Sequence, residues 1–334
     1  MRAARLVAAG DPPRFELEDV PDLAAGPGEV VVALETAALN RRDRWIWTTP
    51  GYCPLPVTLG SDGAGRALAV GAGVAGIEIG DEVVFDATLG WGTSEECPTS
   101  AFDILGAPTE GTFAEQVVVP AANVAPKPAR LTWEEAAAVN LAGLTAWRAA
   151  VTCADAGPGR TLLVTGAGSG VSTFVVQIAA ALGARVLVTS STTEKLERAL
   201  ALGAEAGFSY SEPDWPERAR EAAGGGLDAV IDSYGGPSWP GALRALRVGG
   251  TLVSFGNTNR EPASIDVPDV YWQWRSILGT TMGSPREYRA LLAHVEQATW
   301  RPVIDRVYPL DSIAEAAARL DAPDRFGKVV LRIR

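Results

Sequence analysis

The sequence predicts an α/β protein in which a β-rich amino-terminal part precedes a doubly wound parallel sheet. Three observations predict it. Short β-branched runs broken by glycine occupy the chain to about residue 122, a proline-bearing connector follows at Pro120–Pro128, and beyond it apolar strands alternate regularly with helices. At 334 residues the chain is long enough for two cores.

In the first part Glu29–Glu35, Asp81–Phe85 and Phe113–Val119 read as strands, with glycines from Gly26 to Gly80 at the turns. Trp45 and Trp47 share a face if their segment is extended. Thr132-Trp-Glu-Glu135 is a capping box that opens a long alanine-rich helix. A buried strand at Thr161–Thr165 leads to an apolar helix, Val171–Leu182, and then to a strand at Arg185–Thr189. Ser191 is expected to cap the next helix, which ends near Gly203. Further strands are expected at Ala206–Phe208, Ala229–Asp232, Thr251–Phe255 and Ile277–Met282, giving six strands joined by helical crossovers. A helix over Pro285–Ala298 would carry His294 on its surface. The tail from Pro302 ends in the strand Lys328–Ile333, expected back against the first part. The predicted domains are therefore 1–122, 123–299 and a return segment, 300–334.

Composition narrows the function. With 29 basic against 40 acidic residues, the formal charge of −11 repels a phosphate backbone or an anionic bilayer, so neither nucleic acid nor membrane is expected as a partner. One histidine and three scattered cysteines (Cys53, Cys97, Cys153) are a poor supply for a zinc site or a histidine-based triad. The odd cysteine count fits a reducing compartment, and no apolar run approaches the ~18–20 residues of a membrane helix. The expected location is cytoplasmic.

Gly166-Ala-Gly168-Ser-Gly170-Val-Ser172 joins the Thr161–Thr165 strand to its helix. Glycines in a strand–turn–helix let the backbone approach a pyrophosphate, and the helix amides face its charge. Gly168, Ser169, Gly170 and Val171 are the expected contacts, although Ser172 stands where a third glycine would fall. About 20 residues on, where a carboxylate would hold a ribose 2′-hydroxyl, the chain carries Thr189-Ser190-Ser191-Thr192 and then Lys195. Ser190, Ser191 and Lys195 favour a 2′-phosphate, hence NADPH over NADH.

Leu59-Gly-Ser-Asp-Gly-Ala-Gly65, Val70-Gly-Ala-Gly-Val74 and Gly80-Asp-Glu-Val-Val84, with Leu39-Asn-Arg-Arg-Asp43, Leu144-Thr-Ala-Trp147 and Phe326-Gly-Lys-Val-Val330, resemble the medium-chain dehydrogenase/reductase superfamily. The nearest likeness is to its quinone oxidoreductase-like branch. The resemblance spans nearly the whole chain. It implies a GroES-like β-rich substrate domain joined to a Rossmann domain, with the active site in the cleft between them. Zinc members of the superfamily carry a cysteine where Asn40 stands and a His-Glu pair where Ser61-Asp62 stands. The stretch Asp86–Pro98, in place of a structural-zinc lobe, offers only Cys97. The resemblance thus implies no metal. It places Asn40, Asp43, Tyr52 and Ser61 in or near the catalytic cleft, and Thr145, Tyr210, Phe255, Gly256, Asn257 and Lys328 among the cofactor contacts. It also implies a homodimer formed through the last Rossmann strand.

Without a Lewis acid, a conjugated acceptor is easier to reduce than a simple ketone, because hydride at the β-carbon leaves a delocalised enolate that hydrogen-bond donors stabilise. The expected reaction is NADPH-dependent reduction of an activated C=C or quinone: an enone, quinone or enoyl thioester. Asn40 would donate to the acceptor oxygen, Tyr52 or water would supply the proton, and Asp43 would orient the loop. Ten tryptophans suit a substrate that is apolar or aromatic, or else core packing and subunit contacts. Two other readings compete: a cofactor-binding protein with little turnover, and a tailoring reductase of a bulky polycyclic intermediate.

Overall fold

A computed structural model describes all residues, Met1–Arg334. Its contacts divide the chain into two compact units, Met1–Ala142 with Ser284–Arg334, and Gly143–Gly283.

The first unit runs through β1 (Arg2–Ala8), β2 (Arg14–Asp19), β3 (Glu29–Ala38), α1 (Arg41–Trp47), β4 (Val57–Thr58), β5 (Asp62–Val70), β6 (Glu82–Phe85), β7 (Thr88–Leu89), β8 (Asp103–Ile104), β9 (Gln116–Pro120), β10 (Val124–Pro126) and the start of α2 (Trp133–Trp147). Strands β3 and β5 are the spine. Their backbones come so close at Gly65 that a Cβ there would stand 2.0 Å from the Ala33 carbonyl oxygen. That approach explains the last glycine of the Leu59–Gly65 motif in structural terms. The predicted Thr132 capping box is present, with the Thr132 N–H donating to Glu135 Oε2 at 2.9 Å and the Glu135 N–H donating to Thr132 Oγ1 at 3.3 Å.

The second unit continues with β11 (Thr161–Val164), α3 (Gly170–Ala181), β12 (Arg185–Ser190), α4 (Thr193–Ala201), β13 (Ala206–Ser209), α5 (Trp215–Ala222), β14 (Leu227–Asp232), α6 (Trp239–Ala245), β15 (Leu246–Ser254), α7 (Val267–Tyr271) and β16 (Ser276–Gly279). The order β13-β12-β11-β14-β15-β16 is an all-parallel doubly wound sheet whose direction of travel reverses between β11 and β14. All six expected strands form.

The chain returns to the first unit with α8 (Pro285–Gln297), β17 (Ile304–Pro309), α9 (Ile313–Arg319) and β18 (Lys328–Arg332). Strand β18 pairs antiparallel with β3, as the tail was expected to do, in the sheet β10-β6-β5-β3-β18-β17 to which β9 adds at β3.

Four expectations need correction. The divide falls within α2 and after Gly283, not near residues 122 and 299, because α2 and α8 hydrogen-bond into the first unit through Asn140, Leu141 and Tyr288. Trp45 and Trp47 lie on a helix, where residues two apart are roughly 200° apart around the axis. Trp47 is therefore 1% exposed, in the core with Leu39, Ile46 and Phe113, while Trp45 is 42% exposed. The helix cap expected at Ser191 is Thr192, whose Oγ1 accepts the Lys195 N–H at 3.3 Å. His294 is half-buried, its ring 5.9 Å from that of Trp300, and burial lowers its pKa.

Candidate active site

Strand β3 ends at Ala38 and α1 begins at Arg41, so Asn40 is the residue before the helix, in an extended conformation. Strand β5 begins with Asp62, and β18 with Lys328. Pairing of β3 with both neighbours brings these three strand ends together: Asp62 opposes Ala38, and Ala38 opposes Val330. Their side chains form one buried cluster. Asn40 Nδ2 donates to Asp62 Oδ2 at 2.9 Å, and Lys328 Nζ donates to Asn40 Oδ1 at 2.6 Å and to Asp62 Oδ2 at 2.9 Å. The other Asp62 oxygen, Oδ1, accepts the Leu141 N–H of α2 at 2.7 Å. Exposures are 6% for Asn40, 3% for Lys328 and 0% for Asp62. A buried ion pair of this kind tolerates its desolvation only when the remaining lone pairs and protons find partners, and here they largely do.

Asp43 joins the cluster through Asn40, whose backbone N–H donates to Asp43 Oδ2 at 2.6 Å. Its second oxygen has no hydrogen-bond partner. Burial lifts the Asp43 carboxyl to about 6, against the lowering effect of that hydrogen bond and of the Arg42 and Lys328 charges. Ser61 is fully buried and donates to the Leu105 carbonyl at 2.6 Å. Arg42 donates to the carbonyls of Ile104, Gly106 and Ala107 at 2.6–3.0 Å, fixing the same loop. A second polar chain supports α2, in which Tyr288 Oη donates to Asn140 Oδ1 at 2.7 Å and Asn140 Nδ2 to the Gly63 carbonyl at 2.9 Å.

The structure thus brings together Asn40, Asp43 and Lys328, with Ser61 on the adjoining loop. Tyr52 is 39% exposed on the loop after α1, its ring edge-on to Trp45 at 4.6 Å. Lys328, expected at the cofactor, has its ammonium directed at Asn40 and Asp62. In place of a structural-zinc lobe, Trp91 is buried edge-on against Phe102, its Nε1–H donates to the Ser94 carbonyl at 2.7 Å, and Ser284 donates to Glu95.

In the second unit the glycine-rich turn takes left-handed backbone at Gly166 (φ 65°) and Gly168 (φ 109°). Ser169 caps α3, its Oγ accepting the Ser172 N–H at 3.1 Å. The amides of Gly170 and Val171 then lie in the first turn, where helix geometry leaves them without intrahelical partners. This cradle fits a pyrophosphate. Thr189 Oγ1 accepts the Gly166 N–H at 3.4 Å and Ser190 Oγ donates to the Ala167 carbonyl at 3.2 Å. These two hydroxyls therefore brace the turn. Ser191 and Tyr210 are exposed, and Lys195 is half-buried in the first turn of α4. Phe255, Gly256 and Asn257 follow β15 at its carboxyl end, and Thr145 is 5% exposed on α2.

Sequence reasoning missed Asp232. Buried at the end of β14, it accepts from Thr165 Oγ1 at 2.6 Å, Ser238 Oγ at 3.0 Å and the Gly235 N–H at 2.8 Å. It ties the ends of β11 and β14 where the sheet order reverses, the place where such folds bind ligands. Its signal was an acid closing an apolar strand.

A doubly wound sheet with a phosphate-type turn and a β-rich unit with a buried polar cluster together define a two-domain nucleotide-binding enzyme architecture. Residues 26–129 match the alcohol dehydrogenase GroES-like domain family and residues 170–297 the zinc-binding dehydrogenase family. A zinc-type alcohol dehydrogenase-like protein of Schizosaccharomyces pombe is 36% identical over 319 residues, covering 92% of this chain and 91% of that protein. The chain belongs to the medium-chain dehydrogenase/reductase superfamily of oxidoreductases. An acryloyl-coenzyme A reductase of Sulfurisphaera tokodaii is 27% identical over 98% of this chain and 99% of its own length. The crystal structure of an NAD-dependent alcohol dehydrogenase superposes with a TM-score of 0.94 at 41% identity, covering 100% of both chains.

Zinc takes cysteine thiolates, histidine nitrogens and carboxylates. At the positions in question stand a carboxamide, a hydroxyl committed to a carbonyl, and a carboxylate whose two oxygens are already hydrogen-bonded. The Lys328 ammonium would also repel a metal cation. This donor set does not fit zinc.

Proposed function

We propose that the protein is an NADPH-dependent, zinc-independent oxidoreductase that transfers hydride to an activated C=C or quinone: an enone, quinone or enoyl thioester. The observation that carries this reading is the cluster of Asn40, Asp62 and Lys328, which offers hydrogen-bond donors where zinc relatives offer metal ligands. A bound nicotinamide supplies the hydride. When hydride reaches the β-carbon, the π pair moves to the carbonyl oxygen as an enolate. Asn40 Nδ2–H is the donor assigned to that oxygen, and a buried donor stabilises developing charge more than an exposed one. The α-carbon then takes a proton from Tyr52 or from water. Asp43 holds the Asn40 backbone.

The full-length likeness to an acryloyl-coenzyme A reductase supports the enoyl class. Ser191, Lys195 and Tyr210 support NADPH. The likeness to an NAD-dependent alcohol dehydrogenase favours a second reading, in which NADH is the cofactor. The exposed Tyr271, Trp272 and Trp274 beside the edge strand β16 support a homodimer.

The deciding experiment follows oxidation of NADPH and of NADH across a panel of quinones, enones, enoyl thioesters and simple ketones. Turnover of conjugated acceptors with NADPH is the expected result. Turnover confined to simple ketones would defeat the reading, and binding of cofactor with no turnover at all would favour a binding role.

A further inference from the structure

A carboxamide can be placed two ways round, and the surroundings of Asn40 permit only one. Lys328 Nζ, a donor with no acceptor capacity, lies 2.6 Å from one end of the amide. Asp62 Oδ2 lies 2.9 Å from the other end. Rotating the amide by 180° would set its NH2 against the ammonium and its oxygen against the carboxylate. Charged partners on both sides therefore lock the group. The amide nitrogen carries two hydrogens, of which Asp62 takes one.

We propose that Lys328 and Asp62 are positioning residues for Asn40, together fixing its amide so that the second N–H is presented to the acceptor oxygen in a single orientation. The inference rests on the reading above that Asn40 is the donor to that oxygen. Lys328 also strengthens the donor. An ammonium bonded to the amide oxygen draws electron density from the amide nitrogen, and linked hydrogen bonds of this kind reinforce one another. The Leu141 N–H, held by the helix, fixes the other Asp62 oxygen, so the carboxylate cannot turn away. Asp62 has no exposed surface and Lys328 only 3%, so both act through Asn40. The three residues are far apart in sequence, with Lys328 separated from Asn40 by 288 positions, and only the pairing of β3 with β5 and β18 assembles them.

The test uses the full-length protein with NADPH and the conjugated acceptor it reduces best. Lys328→Met should lower kcat about 10- to 100-fold, as a mispositioned donor does, with the acceptor KM and NADPH affinity changed less than about threefold. Asn40→Ala should show a comparable loss, and the double variant no further one. Lys328→Arg should recover part of the rate. Should Lys328→Met fail to fold because it strands the Asp62 carboxylate, Lys328→Met/Asp62→Asn removes both charges and reads the same quantity. Unchanged kcat in a folded variant, or losses that multiply in the double variant, would overturn the proposal. A readout independent of turnover separates this inference from the enoyl reading. In protein labelled with 15N-asparagine, the Asn40 amide should give two well-separated, slowly exchanging proton resonances that move together or broaden in Lys328→Met. If the wild type reduces no conjugated acceptor but this change appears, the reading of the reaction falls and the positioning stands. If the resonances are the same in both proteins, the positioning falls.

Discussion

The Asp62 carboxylate accepts the Leu141 N–H through one oxygen at 2.7 Å, which leaves the other for Asn40 and Lys328. A helix amide thereby occupies a lone pair that a metal would need. The expected outcome is that prolonged chelation leaves activity unchanged and that elemental analysis finds well under one zinc per chain. One tightly bound zinc per chain, with activity lost on its removal, would contradict this.

The proposed preference for NADPH rests on the start of α4. Thr192 caps the helix, with the exposed Ser191 before it and the half-buried Lys195 in its first turn. A well-placed charge-assisted hydrogen bond contributes roughly 1.5–3 kcal/mol, or about tenfold or more in affinity. NADPH should bind more tightly than NADH, and Lys195→Ala should erode the preference through NADPH alone. Fluorescence titration of both cofactors checks it, and equal affinities in the wild type would refute it.

Asp43 gives a pH dependence whose sign is fixed. Its folded-state pKa, about 6, lies above the ordinary carboxylate value of 3.8, so the folded protein holds this proton more tightly than the unfolded chain. Its contribution to stability is full below about pH 4 and is lost as pH rises toward 6. Relative to Asp43→Asn, the wild type should lose roughly 2–3 kcal/mol across that window. Asp86, raised by burial to about 7, acts in the same direction over a wider window. Urea unfolding of both proteins between pH 4 and 7 measures it, and parallel stability curves would refute the assignment.

Much of the second unit was legible because its central strands β11, β12 and β14 are apolar runs buried on both faces. The first unit was less so. Strand β5, Asp-Gly-Ala-Gly-Arg-Ala-Leu-Ala-Val, carries small residues that local propensity reads as turn, and its partner β3 decides the matter through the close approach at Gly65. Likewise α1 was open to an extended reading until tertiary packing buried Trp47. Asn40, Asp43 and Ser61 were recognisable from motif position. The partners of Asn40 were not, since nothing local in the Lys328 strand announces an ion pair with residues at the other end of the chain.

The rim of β16 predicts self-association. Trp272 and Trp274 are 69% and 80% exposed, beside Tyr271 at 57%. Light scattering at micromolar concentration should give twice the chain mass, and Trp274→Glu should shift the protein to monomer. A wild-type monomer would refute the dimer.

The uneven burial of the tryptophans has a spectroscopic consequence. Trp47 and Trp91 lie inside the protein at 1% and 3% exposure, whereas Trp272 and Trp274 face water. In the dissociated chain the intrinsic emission therefore sums a blue component from the interior and a red one from the rim, and a collisional quencher such as iodide reaches the second selectively, whereas a dimer formed through β16 shields it. Dilution through a dissociation midpoint would change the quenchable fraction without touching the interior signal, and denaturant would release both. The native chain carries its own optical gauge.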